Sequence, residues 1–163
     1  VKIGGSVTHH EVASSADVQG AIPALASLAG RIGDPAVRHR GTIGGSVANN
    51  DPSACYPSAC LGLGATIHTS TGNIAADDFF QGMFETALGE GQVVTGVSFP
   101  VPEAANYQKF VQPASRFALV GVFASKGAGG VRVRLVVATG QQRLTTPVCA
   151  IGSAARPGSW GRL

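Results

Sequence analysis

The stretch from Val37 to Pro57, VRHRGTIGGSVANNDPSACYP, packs Gly41, Gly44 and Gly45 into five residues, brackets the Gly-Gly pair with Thr42 and Ser46, and continues into Asn49, Asn50, Asp51 and Pro52. Glycine loses more backbone entropy on folding than any other residue, so adjacent glycines make sense where the chain must come within contact distance of something else. A Gly-Gly pair between hydroxyl residues presents unshielded N–H donors with little charge to desolvate, which suits a diphosphate or a flat ring. A tight turn in a β-rich core uses the same residues. The spacing is neither a G-x-G-x-x-G after a strand nor a G-x-x-x-x-G-K-[ST] loop, which excludes the Rossmann and P-loop fingerprints.

The chain around this stretch has 163 residues, 44% of them apolar and 13% charged, enough for one ordinary core and not two. No apolar run is long enough for a membrane span, and no basic segment followed by an apolar one opens the chain. Cys55, Cys60 and Cys149 form no C-x-x-C pair, so neither a disulfide framework nor a zinc site is indicated, and a cytoplasmic setting is expected. All nine acidic residues lie at or before Glu103, whereas eight of the twelve Lys and Arg follow it. Those basic residues are dispersed singly with no interleaved aromatics, which speaks against nucleic acid as a partner.

Strand and helix signals alternate along the chain. Residues 1–3 read as a strand, Thr8 and Glu11 form a capping box ahead of a short helix, and residues 22–29 read as a second helix with Pro23 in its first turn. Residues 52–61 read as a third helix ended by Gly62. A hairpin is expected around Thr71-Gly72-Asn73, a helical turn or two over 77–88, and β-branched strands over 92–102, 107–112, 118–126 and 129–140.

Other chemistry-bearing residues have plainer readings. His9 and His10 are expected at a solvated helix start, and Arg38 and Arg40 either meet a phosphate or partner or simply flank the glycine stretch in solvent. Cys55 and Cys60, five apart on one helix, point about 140° apart, which disfavours a joint metal site. Phe79, Phe80, Met83 and Phe84 have the spacing of a buried helical face, and the adjacent Asp77 and Asp78 suit a helix N-terminus. No Ser/His/Asp or Cys/His nucleophile is indicated, so any bond-making chemistry here would belong to a cofactor.

Residues 32–67, IGDPAVRHRGTIGGSVANNDPSACYPSACLGLGATI, closely resemble the second FAD-binding motif of the flavoprotein (medium) subunit of molybdenum hydroxylases, the family of aerobic carbon monoxide dehydrogenase and xanthine dehydrogenase. The flanks VKIGGSVTHHEV, VVTGVSFPVP and YQKFVQPASRFALVGVFASK extend the similarity over residues 1–133. The resemblance implies an α+β fold, the C-terminal part of a vanillyl-alcohol-oxidase (PCMH)-type FAD-binding domain with an antiparallel sheet and flanking helices. Residues 1–104 would be its second subdomain, 105–133 the start of a small C-terminal domain, and 134–163 an atypical tail.

The resemblance also implies a site. Thr42, Ile43, Gly44, Gly45 and Ser46 match the loop that wraps the FAD pyrophosphate and approaches the isoalloxazine, with Thr42 and Ser46 as donors, and Lys109 matches a lysine that reaches the flavin. Asn49, Asn50 and Asp51 are candidate contacts. Cys55 stands where many relatives carry an acidic residue that contacts FAD, a role a weak S–H donor does not fill. No catalytic side chain and no metal ligand is implied. Substrate would be oxidised at molybdenum on a large subunit, with electrons crossing two [2Fe-2S] clusters on a small subunit to FAD and then to an external acceptor.

The chain departs from the family at both ends. The first glycine-rich FAD motif is absent, so a fragment is expected, and the acid-free segment after Val133 lacks helical periodicity, which suggests a reading-frame slip there. Two rival readings follow: a stand-alone flavin oxidase of the same fold, and a truncated product without cofactor.

Overall fold

A computed structural model describes residues 1–137. Thr8 Oγ1 accepts the Glu11 N–H at 3.2 Å while Glu11 Oε2 accepts the Thr8 N–H at 2.7 Å, and this capping box starts helix α1 (His9–Ser14). Ser15 caps α2 (Ala16–Ala21), Pro23 opens α3 (Pro23–Gly30), and Asp34 caps α4 (Pro35–Arg40). Each helix thus begins where the sequence offers a side-chain oxygen or a proline in place of an orphan N–H.

Strand β1 (Lys2–Gly4) lies at the edge of a four-stranded antiparallel sheet in the order β1-β6-β2-β3, with β2 (Thr66–Thr69), β3 (Asn73–Ala75) and β6 (Val94–Ser98). Register places Ile3 and Ile67 on either side of Val97, and this apolar row is buried. Above it run α5 (Ile43–Asn49) and α6 (Tyr56–Leu63), the latter buried along its whole length. A second sheet, β7 (Ala104–Val111), β8 (Ala118–Gly127) and β9 (Gly130–Val137), packs its inner face on α6. Ser125 donates to the Gly62 carbonyl at 2.7 Å, and a Cβ at Gly62 would stand 2.7 Å from the Phe123 ring, so only glycine admits that ring. The architecture is α+β with antiparallel sheets and flanking helices.

Four expectations are corrected. The helix read over 52–61 begins at Tyr56 and ends at Leu63 with Gly64 left-handed behind it, because the Ser53 N–H is already taken by Asp51 Oδ1 in a turn. The segment 77–88 is one helical turn, α7 (Ala76–Phe79), followed by a hairpin of β4 (Phe80–Gly82) and β5 (Glu85–Thr86). Phe79 is buried, but Met83 and Phe84 at the hairpin tip are 62% and 61% exposed and belong to no core. Asp77 and Asp78 do stand in the first turn of α7, as expected, but no side chain caps it: the Asp77 carboxylate pairs instead with Arg132 at 2.8 Å and Arg134 at 3.4 Å, tying α7 to β9. Of the segment 134–163, residues 134–137 complete β9, and the rest, with the frame-slip reading of it, lies outside the described residues.

Candidate functional site

The glycine stretch is the first turn of α5 rather than a free loop. Thr42 is the N-cap, its Oγ1 accepting the Gly45 N–H at 3.1 Å, and the fully buried Ile43 drives this turn into the core. The two glycines then serve different ends. Gly44 donates to the Gly5 carbonyl at 2.9 Å, and a Cβ at Gly44 would stand 2.6 Å from that oxygen, so its missing side chain lets α5 lie on the backbone after β1. Gly45 is exposed, and a Cβ there would crowd nothing nearer than Thr42 Oγ1 at 3.2 Å.

A cleft of about 220 Å³ opens beside this helix. Ser46 and Asn49 of α5, with the turn from Asp51 to Cys55, form one wall. Lys109 of β7 and the β7–β8 loop residues Ser115, Arg116 and Phe117 form the other, while Ile32, Gly33 and Val37 close an end. Lys109 Nζ donates to the Arg31 carbonyl at 3.0 Å and to Cys55 Sγ at 3.5 Å. Arg31 answers by donating to the Tyr107 and Lys109 carbonyls at 3.3 and 2.9 Å, with its guanidinium 5.8 Å from the Tyr107 ring centre. Helix α3 and strand β7 are thus clasped from both sides directly under the cleft. Two cations, Lys109 and Arg116, face one carboxylate, Asp51, so the lining favours an anionic guest.

His9 also lines the cleft, against the expectation of a solvated position. It is 5% exposed, it rests under Gly41, where a Cβ would come within 2.6 Å of Nε2, and its Nδ1 has no partner among the described residues. Burial holds its pKa below the ordinary value of 6.5, so the ring is neutral at pH 7. His10 takes the surface place instead, stacking on His39 at 4.1 Å. Arg38 donates to the Ile32 and Gly33 carbonyls at 3.0 and 2.9 Å, which assigns it to shaping the end wall.

Of the residues singled out in the sequence, the cleft brings together Ser46, Asn49, Asp51, Cys55 and Lys109. It does not bring in Thr42, Ile43 or Gly44, which build and seat the helix, nor the exposed Gly45. Asn50 faces away: it ends α5 with φ 43° and donates from Nδ2 to the Gly82 and Glu85 carbonyls at 2.6 and 2.9 Å, stapling the β4–β5 hairpin. The sequence reading missed His9, Gly33, Arg116 and Phe117. Gly33 carries a signal in hindsight, since its φ of +50° is a glycine conformation ahead of the Asp34 cap. The other three are placed by tertiary packing alone.

Residues 1–102 match the family described as the FAD binding domain in molybdopterin dehydrogenase. The chain belongs to this family. It is 35% identical over 128 residues to the glyceraldehyde dehydrogenase medium chain of Sulfolobus acidocaldarius, covering 75% of this chain and 46% of that one. The carbon monoxide dehydrogenase medium chain of Afipia carboxidovorans is 32% identical over 125 residues, covering 72% and 43%. A solved carbon monoxide dehydrogenase from Hydrogenophaga pseudoflava that lacks the Mo-pyranopterin moiety superposes with a TM-score of 0.79 at 31% identity, covering 87% of this chain and 54% of that one. Quinoline 2-oxidoreductase from Pseudomonas putida gives 0.77 at 30%, covering 86% and 53%. The chain therefore spans about half the length of the relatives it matches.

The cleft fits part of the FAD that names this family. Hydroxyl, amide, ammonium and guanidinium donors from Ser46, Asn49, Lys109 and Arg116 suit phosphate and carbonyl oxygens, and Ile32, Val37 and Phe117 suit a planar ring. Its volume lies below the roughly 300–1,000 Å³ of a complete ligand pocket, so these walls have room for one portion of a dinucleotide and not the whole. Among the described residues, no group of three or more His, Cys, Asp or Glu is arranged to hold a metal ion, and no helix is long and apolar enough to cross a membrane.

Proposed function

We propose that this chain carries the FAD of a molybdenum hydroxylase of the carbon monoxide dehydrogenase or xanthine dehydrogenase type, as part of its medium subunit. In this reading, electrons leave a substrate at molybdenum on a large subunit, cross two [2Fe-2S] clusters on a small subunit, and pass through the flavin to an external acceptor. The flavin, when bound, supplies the electron exchange. Ser46 and Asn49 orient it by hydrogen bonds, Lys109 places positive charge beside it, and Ile32, Val37 and Phe117 keep water from its planar face. Thr42, Ile43, Gly44 and Gly45 contribute by fixing the helix that carries Ser46, with Gly45 as the open approach.

One observation carries the reading: Ser46, Asp51 and Cys55, from the glycine stretch and the turn behind it, share a cleft with Lys109, more than fifty residues away in sequence. A division into a subdomain over 1–104 and a small domain from 105 is supported by the family match ending at 102 and the second sheet starting at Ala104, whereas a boundary at 134 falls inside β9 and has no such support. The buried, unpaired Cys55 and Cys60 suit work in the cytoplasm.

FAD retention tests the proposal. The chain, and a version extended upstream as far as its gene encodes, are purified and their flavin spectra and FAD dissociation constants recorded. Tight binding by the extended form is expected, followed by reduction of its flavin on adding a reduced [2Fe-2S] subunit. Absence of FAD binding in both forms defeats the proposal and leaves the reading of a product without cofactor.

A further inference from the structure

Cys55 closes the turn behind α5, and its backbone is fixed on both sides. The Ala54 N–H donates to the Asp51 carbonyl at 2.9 Å, and the Cys55 carbonyl accepts the Ser58 hydroxyl at 2.7 Å within the buried α6. The residue is 4% exposed and borders the cleft. Lys109 reaches it from β7, 54 residues on: its Nζ stands 3.5 Å from Cys55 Sγ and is held there by the Arg31 carbonyl at 3.0 Å. A nucleophilic sulfur and an amine nitrogen thus meet on two rigid elements, beside an opening that admits a small oxidant.

A third group singles out this sulfur. The hydroxyl of Tyr107, a residue 2% exposed, has no hydrogen-bond partner among the described residues. Burial raises its pKa, and the neighbouring Cys55 adds to that rise. An oxygen atom on Sγ would give the hydroxyl the acceptor it lacks. Cys60 has none of this: it is fully buried, it does not line the cleft, and burial pushes its thiol up, so it packs as an inert apolar residue. Cys55 instead has an ammonium as counter-charge for its thiolate and an unmet O–H donor for an added oxygen, the surroundings in which a thiol is oxidised selectively.

We propose that Cys55 is a modification site, oxidised by hydrogen peroxide to a sulfenic acid that then closes a sulfur–nitrogen bond to Lys109. The Cys55 thiolate attacks one peroxide oxygen, the O–O bond breaks, and the departing hydroxide leaves as water with a proton from the Lys109 ammonium. Sulfur has given up two electrons and carries the new hydroxyl. The Lys109 nitrogen, now neutral, attacks Sγ, the S–O bond breaks, and that hydroxide leaves as a second water with another proton from nitrogen. One N–H remains to donate to the Arg31 carbonyl. The link ties β7 covalently to the turn behind α5 and takes a positive charge out of the cleft, and it forms whether or not the cleft is a FAD site.

The test treats the full chain with hydrogen peroxide and records intact mass, a peptide map and the melting temperature, before and after dithiothreitol. Expected is a chain about 2 Da lighter, with the Cys55 peptide joined to the Lys109 peptide, restored by the thiol. Closing a loop of this length should raise the melting temperature by about 5 °C. Lys109→Arg keeps the charge but offers no neutral amine, so it should stop at a sulfenic acid about 16 Da heavier that dimedone captures. Tyr107→Phe should slow the oxidation about fivefold. A disulfide changes the mass equally, so a map that joins Cys55 to Cys60 or Cys149 overturns the proposal. A parent whose Cys55 stays a thiol, or stops at the sulfenic acid, overturns it as well. None of these readouts needs bound flavin, so failure of the FAD reading leaves them standing.

Discussion

The two walls of the cleft are built by opposite means. The α5 wall is backbone seated on backbone: Ile43 is fully buried, Gly44 lies against Gly5 with no room for a methyl group, and Thr42 closes the first turn. The β7–β8 wall is side chain on a loop, with Arg116 and Phe117 exposed and the Arg116 backbone strained. The first wall is held by burial in the core, whereas the second is held by the loop's own hydrogen bonds, Gln112 N–H to the Phe117 carbonyl and Arg116 N–H to the Gln112 carbonyl, with little burial. A site made this way has one half set by core packing and one half set by a self-contained surface turn.

Substituting Gly44 breaks this comparison most sharply. Gly44→Ala drives a Cβ to 2.6 Å from the Gly5 carbonyl, and neither backbone can yield alone, so about 2–3 kcal/mol of stability should be lost, read as a lower denaturant midpoint at unchanged slope. Gly45→Ala is its control one residue on. Only Thr42 Oγ1 is near, and helix propensity favours alanine, so stability should stay within about 0.5 kcal/mol of the parent while FAD binding weakens if the open face of that turn is the approach. Should both variants lose stability alike, the division of labour between the two glycines is wrong.

Next in size is Lys109→Met, which keeps the packed stem and removes the ammonium from Arg31 and Cys55. A loss of about 1 kcal/mol in thermal unfolding is expected, with weaker FAD binding in a fluorescence titration. The smallest effect concerns His9. Its folded-state pKa lies below 6.5, so the unfolded chain binds the proton more readily; the stability from the neutral ring is present above pH 6.5 and is lost as pH falls toward the folded value. Melting temperatures between pH 7.5 and 5.5 should fall more steeply in the parent than in His9→Gln, and parallel profiles would exclude this contribution.

Much of this architecture was legible in the sequence because its signals are local. The capping box at Thr8 and Glu11, the turn at Gly72 and the β-branched runs of β6 to β9 each show in a few residues. The Gly-Gly pair did not read as helix because glycine is a poor helix former, and what overrides that is contact with Gly5, almost forty residues earlier. Met83 and Phe84 have helical spacing, yet the φ of +56° at Phe84 and the Asn50 staple make a hairpin of them. The site divided likewise. Its motif half, Ser46, Asn49, Asp51 and Cys55, was legible, whereas Arg116 and Phe117 join it only because β7 is clasped to α3.

That clasp has one further consequence. Lys109 Nζ holds the Arg31 carbonyl and also borders the cleft, so a single ammonium serves two masters. A guest that draws Nζ toward itself removes one tie between α3 and β7, and whatever presses β7 more firmly onto α3 resists that guest by the same free energy. Occupancy of the cleft and attachment of the second sheet are therefore rivals for one proton-bearing nitrogen, and a contact made on the far side of that sheet is felt as a change in affinity inside the cleft.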